Sequence, residues 1–154
     1  MIRFLKLFSD IFGSLFRKHS ADSTVAKDEI VTRYVFDKSC FSSSKHIVKY
    51  QAFWPHNGET SIFRISQLSD ADVWFIGNEY VAKPRKRRLR ARADIVTDAV
   101  TIAGSAVTGT HLRVVAETST HPLHANIIGW PEDESAIQMV AVELANRAVL
   151  RLSP

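Results

Sequence analysis

From Ile30 onward apolar side chains recur at every second residue, and that period ties the chain to a sheet-built fold. The runs IVTRYVF (30–36), HIVKYQAFW (46–54) and TSIFRIS (60–66) are rich in the β-branched and aromatic residues that suit a pleated, half-buried surface. The serine-rich stretch KSCFSSSK separates the first two. Asn57-Gly58 precedes the third, and this dipeptide favours the tight turn of a hairpin because both residues tolerate positive φ. The spacing predicts an antiparallel meander.

The period then changes. In SDADVWFIGNEYVAK (69–83), Ser69 is placed to cap a helix, acids occupy its first turn, and Val73, Ile76, Gly77 and Tyr80 share a face before Pro84 ends it. LRARADI (89–95) alternates again and reads as a strand with one charged face. TDAVTIAG fits a short helix ending at Gly104, within an ambiguous stretch 96–110, and HLRVVAE (111–117) reads as the last strand. A closing helix has Pro131 at its first position, three acids after it, and a buried stripe of Ile137, Val140, Ala141, Leu144 and Ala148. The expected class is α+β: a largely antiparallel sheet of about five strands with two helices on one face, plus an N-terminal amphipathic helix.

That N-terminal helix is residues 1–18. Phe4, Leu5, Leu7, Phe8, Ile11, Phe12, Leu15 and Phe16 fall in one arc, opposite Arg3, Lys6, Asp10 and Arg17. Residues 19–29 are small, polar and charged apart from Val25 and the alanines, which reads as a linker, leaving 30–154 as a single α+β domain. A helix with that composition suits a groove on a partner protein or an anionic membrane surface, with Phe4, Leu5, Phe8, Ile11, Phe12, Leu15 and Phe16 as the docking face; packing on its own domain is the simplest alternative. No apolar run reaches the length of a transmembrane helix. Ser9 and Asp10 interrupt the N-terminal apolar stretch and no small-residue cleavage site follows, which argues against secretion. A single cysteine, Cys40, excludes an internal disulfide and a paired-thiolate metal site. The expected location is the cytoplasm, with peripheral membrane attachment through the N-terminal helix as one option.

Charge is concentrated in one segment. KPRKRRLRAR (83–92) holds seven of the 20 basic residues and no acid, leaving 13 basic against 16 acidic residues elsewhere. So many neighbouring cations repel unless solvated or matched by an anion, and Lys83, Arg85, Lys86, Arg87, Arg88, Arg90 and Arg92 are therefore candidates to contact nucleic acid or an acidic protein surface. On a strand, Arg88, Arg90 and Arg92 would line one face. The competing reading is a solvated edge guarded against aggregation.

HPLHANIIGWPEDESA (121–136) is the other candidate. His121, His124, Asn126 and Trp130, beside a helix N-terminus, could bind an anionic or carbonyl group as a ligand pocket. A loop in which His124 and Asn126 bond the backbone while the apolar residues plug the core is the structural alternative. The residue before a proline is biased to extended backbone, which removes the helical geometry a two-histidine metal site needs. No metal, cofactor or catalytic residue is assigned. Cys40 has no motif around it, and the serines are too many to single one out.

FRISQLSDADVWFIGNEYV, ARADI and HANIIGWPEDESAIQMVAVELA, across residues 60–146, resemble a set of small uncharacterised bacterial proteins that accompany mobile-element or anti-phage gene clusters. The resemblance implies a bacterial cytosolic accessory protein and transfers no catalytic residue. HPLHAN after a meander is also similar to the ubiquitin-conjugating fold, but it lacks the His-Pro-Asn tripeptide and no cysteine follows it. The expected function is therefore a non-enzymatic binding or adaptor protein, with a small enzyme or ligand sensor built on the His121–Trp130 loop as its rival.

Overall fold

Six strands form one antiparallel sheet in the computed structural model, which describes residues 24–154. They are β1 (Ile30–Val35), β4 (Thr60–Arg64), β5 (Ala91–Val96), β6 (Arg113–Ala116), β7 (His124–Ile128) and β8 (Val149–Leu152), in the order β6-β7-β4-β1-β5-β8. A separate two-stranded ladder joins β2 (Phe41–Ser42) to β3 (Ile47–Val48). The helices are α1 (Asp70–Ile76), which continues as a π-helical segment Gly77–Ala82, α2 (Thr97–Gly104) and α3 (Glu134–Arg147). The N-terminal segment 1–18, with its expected docking face, lies outside the described residues.

The α+β class and the antiparallel sheet hold, whereas the placement of the helices is different from that expected. They cover both faces of the sheet. On one face Val31, Val35, Ile62, Ala91, Ala93, Ile95, Ala125 and Ile127 pack with Val100 and Ala103 of α2 and Val140 and Leu144 of α3. On the other, Tyr34 and Phe63 pack with Val73, Trp74, Ile76 and Val81 of the α1 segment, together with Leu89 and Leu123. The reason lies in β1 and β4: both faces carry a large apolar or aromatic side chain, so one covering layer leaves the second exposed to water. Within 77–82 the wider π-helical turn shifts the phase of the buried face. Val81 and Ala82 face inward, while Tyr80 is half exposed.

Several boundaries also move. The stretch 46–54 forms a strand only at Ile47–Val48 and then a 3₁₀ turn at Tyr50–Phe53, because its carbonyls are taken by side chains instead of a ladder: Arg33 Nε donates to Ala52 O (3.0 Å) and Thr60 Oγ1 donates to Phe53 O (2.9 Å). Asn57 (φ 51°) and Gly58 (φ 74°) form the expected tight turn, which joins a His56–Glu59 bridge. β6 is not the last strand. HANII is β7, inserted between β6 and β4, and VLRL, directly after the closing helix, is the edge strand β8. α3 starts at Glu134, not Pro131, since Asp133 Oδ2 accepts from Ala136 N (2.9 Å) and caps it there. Two residues of the stretch read as a linker belong to the domain, Thr24 bridging Val115 and Val25 buried in the core with its amide on Val114 O (3.1 Å), while residues 19–23 lie outside the described residues.

Candidate functional site

The basic decamer is sorted by the fold into three groups. Arg92, on β5, is withdrawn from the surface. Its Nη2 lies 2.6 Å from Asp70 Oδ1 and its Nε 3.1 Å from Asp94 Oδ1, with the guanidinium over the Trp74 ring at 4.8 Å. It is a buried tie between β5 and the start of α1, so the expected row of Arg88, Arg90 and Arg92 along one strand face does not exist; β5 itself begins at Ala91. Lys83 and Arg87 are exposed but paired, with Glu79 (3.1 Å) and Asp37 (2.5 Å) respectively. Arg85, Lys86 and Arg88 are exposed, and Arg90 is half-buried; none of these four has a carboxylate within 4 Å among the described residues.

The turn that carries them follows the π-helical segment and holds Lys86 at φ 51°. The guanidinium groups of Arg85 and Arg87 both stand over the Phe36 ring, at 5.7 and 5.4 Å, a cation–π contact made on an exposed turn. Arg33 on β1, which feels the charge of Arg85, is a residue the charge pattern did not single out because it sits alone in an apolar strand. Desolvation, then the charge of Arg85, lowers its pKa to about 10, partly offset by Cys40. It stays charged at neutral pH and, among the described residues, donates to the main-chain carbonyls Ala52 O and Ser61 O. Burial raises the pKa of the neighbouring Cys40 thiol, which removes the thiolate a reactive cysteine requires.

The ligand pocket expected of His121, His124, Asn126 and Trp130 does not assemble. Trp130 packs against the α2/α3 side and donates from Nε1 to Ile127 O (3.2 Å). The helix N-terminus beside it is occupied by the chain's own Asp133 carboxylate. His121 is buried, accepts at Nδ1 from Leu123 N (3.1 Å), and lies edge-on to Phe63 and Tyr80. Burial, then the charge of His124, lowers its pKa to about 4, so it is a neutral core histidine.

His124 and Asn126 do share one face of β7. Asn126 is the register partner of Ser61 on β4 and donates from Nδ2 to Glu59 Oε2 (3.0 Å). His124 reaches Ser61 Oγ through Nε2 at 2.7 Å, and its Nδ1 lies 2.9 Å from Glu117 O and 3.0 Å from Glu117 Oε2. Glu117 follows β6, so three adjacent strands bring Ser61, His124 and Glu117 into one line. Sequence reasoning missed Ser61 and Glu117, which lie 63 and 7 residues from His124. Only strand register reveals them.

A surface groove of about 400 Å³ runs along α3, lined by Ser135, Gln138, Met139, Val142 and Glu143 and by Ala106 of the turn after α2, away from all of these groups. Among the described residues no helix is long and apolar enough to cross a membrane. No protein-family model, curated protein or solved structure matches the chain.

Proposed function

We propose that this protein is a polyanion-binding adaptor whose binding surface is the turn carrying Arg85, Lys86 and Arg88, with Arg90 at its edge. One observation carries the reading: these cations lack a carboxylate among the described residues, while their neighbours in the decamer are neutralised internally. A fold that pairs Lys83, Arg87 and Arg92 but leaves a compact cationic turn in water favours a phosphate-rich partner, because releasing condensed counterions from that partner supplies the driving force. The 60–146 resemblance supports looking for that partner among the nucleic acids of phage or mobile elements. Residues 1–18 supply the second half of the adaptor, docking a protein or a membrane surface through Phe4, Phe8, Phe12 and Phe16.

The decisive experiment is binding of a short fluorescein-labelled DNA duplex, followed by anisotropy across a salt series. Affinity should fall steeply with salt, and changing Arg85, Lys86 and Arg88 together to glutamine should reduce the log–log slope by roughly 2–3, about 0.9 for each phosphate no longer neutralised. Absence of binding at low salt, or an unchanged slope in the triple variant, sinks the nucleic-acid reading. Deleting residues 1–18 and comparing vesicle flotation with partner pull-down separates the two docking modes.

A further inference from the structure

We infer that Ser61 is an acyl-accepting nucleophile acting on carboxylic esters, with His124 as its general base and Glu117 as the residue that positions the imidazole. This activity is independent of the polyanion surface.

The hydrogen placement follows from the partners. Nδ1 of His124 faces two acceptors, the carbonyl and the carboxylate of Glu117, so in the neutral imidazole it carries the hydrogen. Nε2 is then the unprotonated nitrogen, and at 2.7 Å it accepts the hydroxyl hydrogen of Ser61. A base within hydrogen-bond reach of the nucleophile, itself oriented by a third group, is the arrangement that activates serine. Hydrogen bonds from the Ser119 hydroxyl and amide, followed by smaller contributions including His124, hold the Glu117 carboxyl below its ordinary pKa. It is an anion at neutral pH and can stabilise a transient imidazolium.

The three groups do not rest on mobile side chains alone. Ser61 lies on β4 and His124 on β7, which are paired by four consecutive register partners, and β7 pairs with β6 up to Ala116, the residue before Glu117. The Phe63 ring packs edge-on to the imidazole at 5.4 Å and limits its rotation. Arg33 Nη1 holds the Ser61 carbonyl at 2.9 Å. Ser61 and His124 are both partly buried, not sealed in the core. Opposite Ser61, the buried Asn126 amide donates from Nδ2 to Glu59, which fixes the β7 side of the site.

The steps balance. Ser61 Oγ forms a bond to the ester carbonyl carbon as its proton passes to His124 Nε2. The carbon–alkoxide bond then breaks, and the alcohol leaves with that proton. Water attacks the acyl-serine, giving its proton to Nε2, and the carboxylic acid departs as the proton returns to Oγ.

The test uses the full chain with p-nitrophenyl acetate as substrate and a fluorophosphonate as label. Ester turnover should accompany transfer of one phosphonyl group to the peptide containing Ser61, with loss of fluoride. Ser61→Ala should abolish both signals, and His124→Gln should slow labelling about 100-fold. Glu117→Gln should lower kcat about tenfold with KM unchanged, a split that a purely structural role does not produce. The wild-type protein alone decides the matter if a variant fails to fold: no labelling, or labelling at another residue, overturns the proposal. So does Ser61→Ala that folds and turns over ester at the wild-type rate.

Discussion

The Arg92 guanidinium lies 2.6 Å from the Asp70 carboxylate, linking a buried strand residue to the first turn of a helix on the same side of the sheet. Asp94 and Trp74 complete its surroundings, and Asp94 is shared with Thr32 Oγ1 (2.7 Å) and Arg151 Nε (3.8 Å). Arg92 is therefore an internal cross-brace between β5 and α1, although it belongs by composition to the most basic segment of the chain.

Changing the buried Arg92 to glutamine should lower folding stability by about 3 kcal/mol, since the partly buried Asp94 is left with a weaker partner set. Changing the exposed Arg85 in the same way should move stability by no more than about 0.5 kcal/mol. Urea melts of the two variants measure the contrast. Equal, small effects would remove the distinction drawn between the braced and the free cations.

His121 predicts a pH dependence of stability. Its folded pKa, about 4, is below the ordinary histidine value of 6.5, so between those limits the unfolded chain binds the extra proton. The stabilisation from keeping it neutral is fully present above pH 6.5 and is lost as pH falls towards 4, amounting to no more than about 3 kcal/mol after solvent screening. Denaturation of wild type and His121→Gln across pH 4–7 should show a shallower slope for the variant. Parallel curves would assign the acid sensitivity to other groups.

Gly129, directly after β7, has φ 85°, and a Cβ built there would run into the backbone carbonyl oxygen of His111. Gly129→Ala combines an unfavourable backbone region with a clash against main chain that cannot rotate away, and should cost about 3 kcal/mol. Gly109 also has positive φ (83°) but open space around its Cβ position, so Gly109→Ala should cost only about 1 kcal/mol. Thermal melts rank the two, and an equal shift would exclude the steric contribution.

Residue order alone determined the local elements whose cause is local. The two-residue period marks β1, β4 and β5, Asn57-Gly58 makes its turn, and Ser69 caps α1 by accepting from Asp72 N (3.2 Å). It also located the dense positive charge. Tertiary structure decided the rest, because the deciding interactions join residues far apart in the chain. Whether a helix lies above or below the sheet depends on both faces of β1 and β4 being apolar. Whether an arginine meets water or a carboxylate depends on where Asp70, Asp94 and Asp37 are brought. HANII reads as loop or strand until β6 and β4 are found on either side of it. Ser61 looks like any other serine until strand register, a purely non-local relation, sets its hydroxyl against the imidazole of His124.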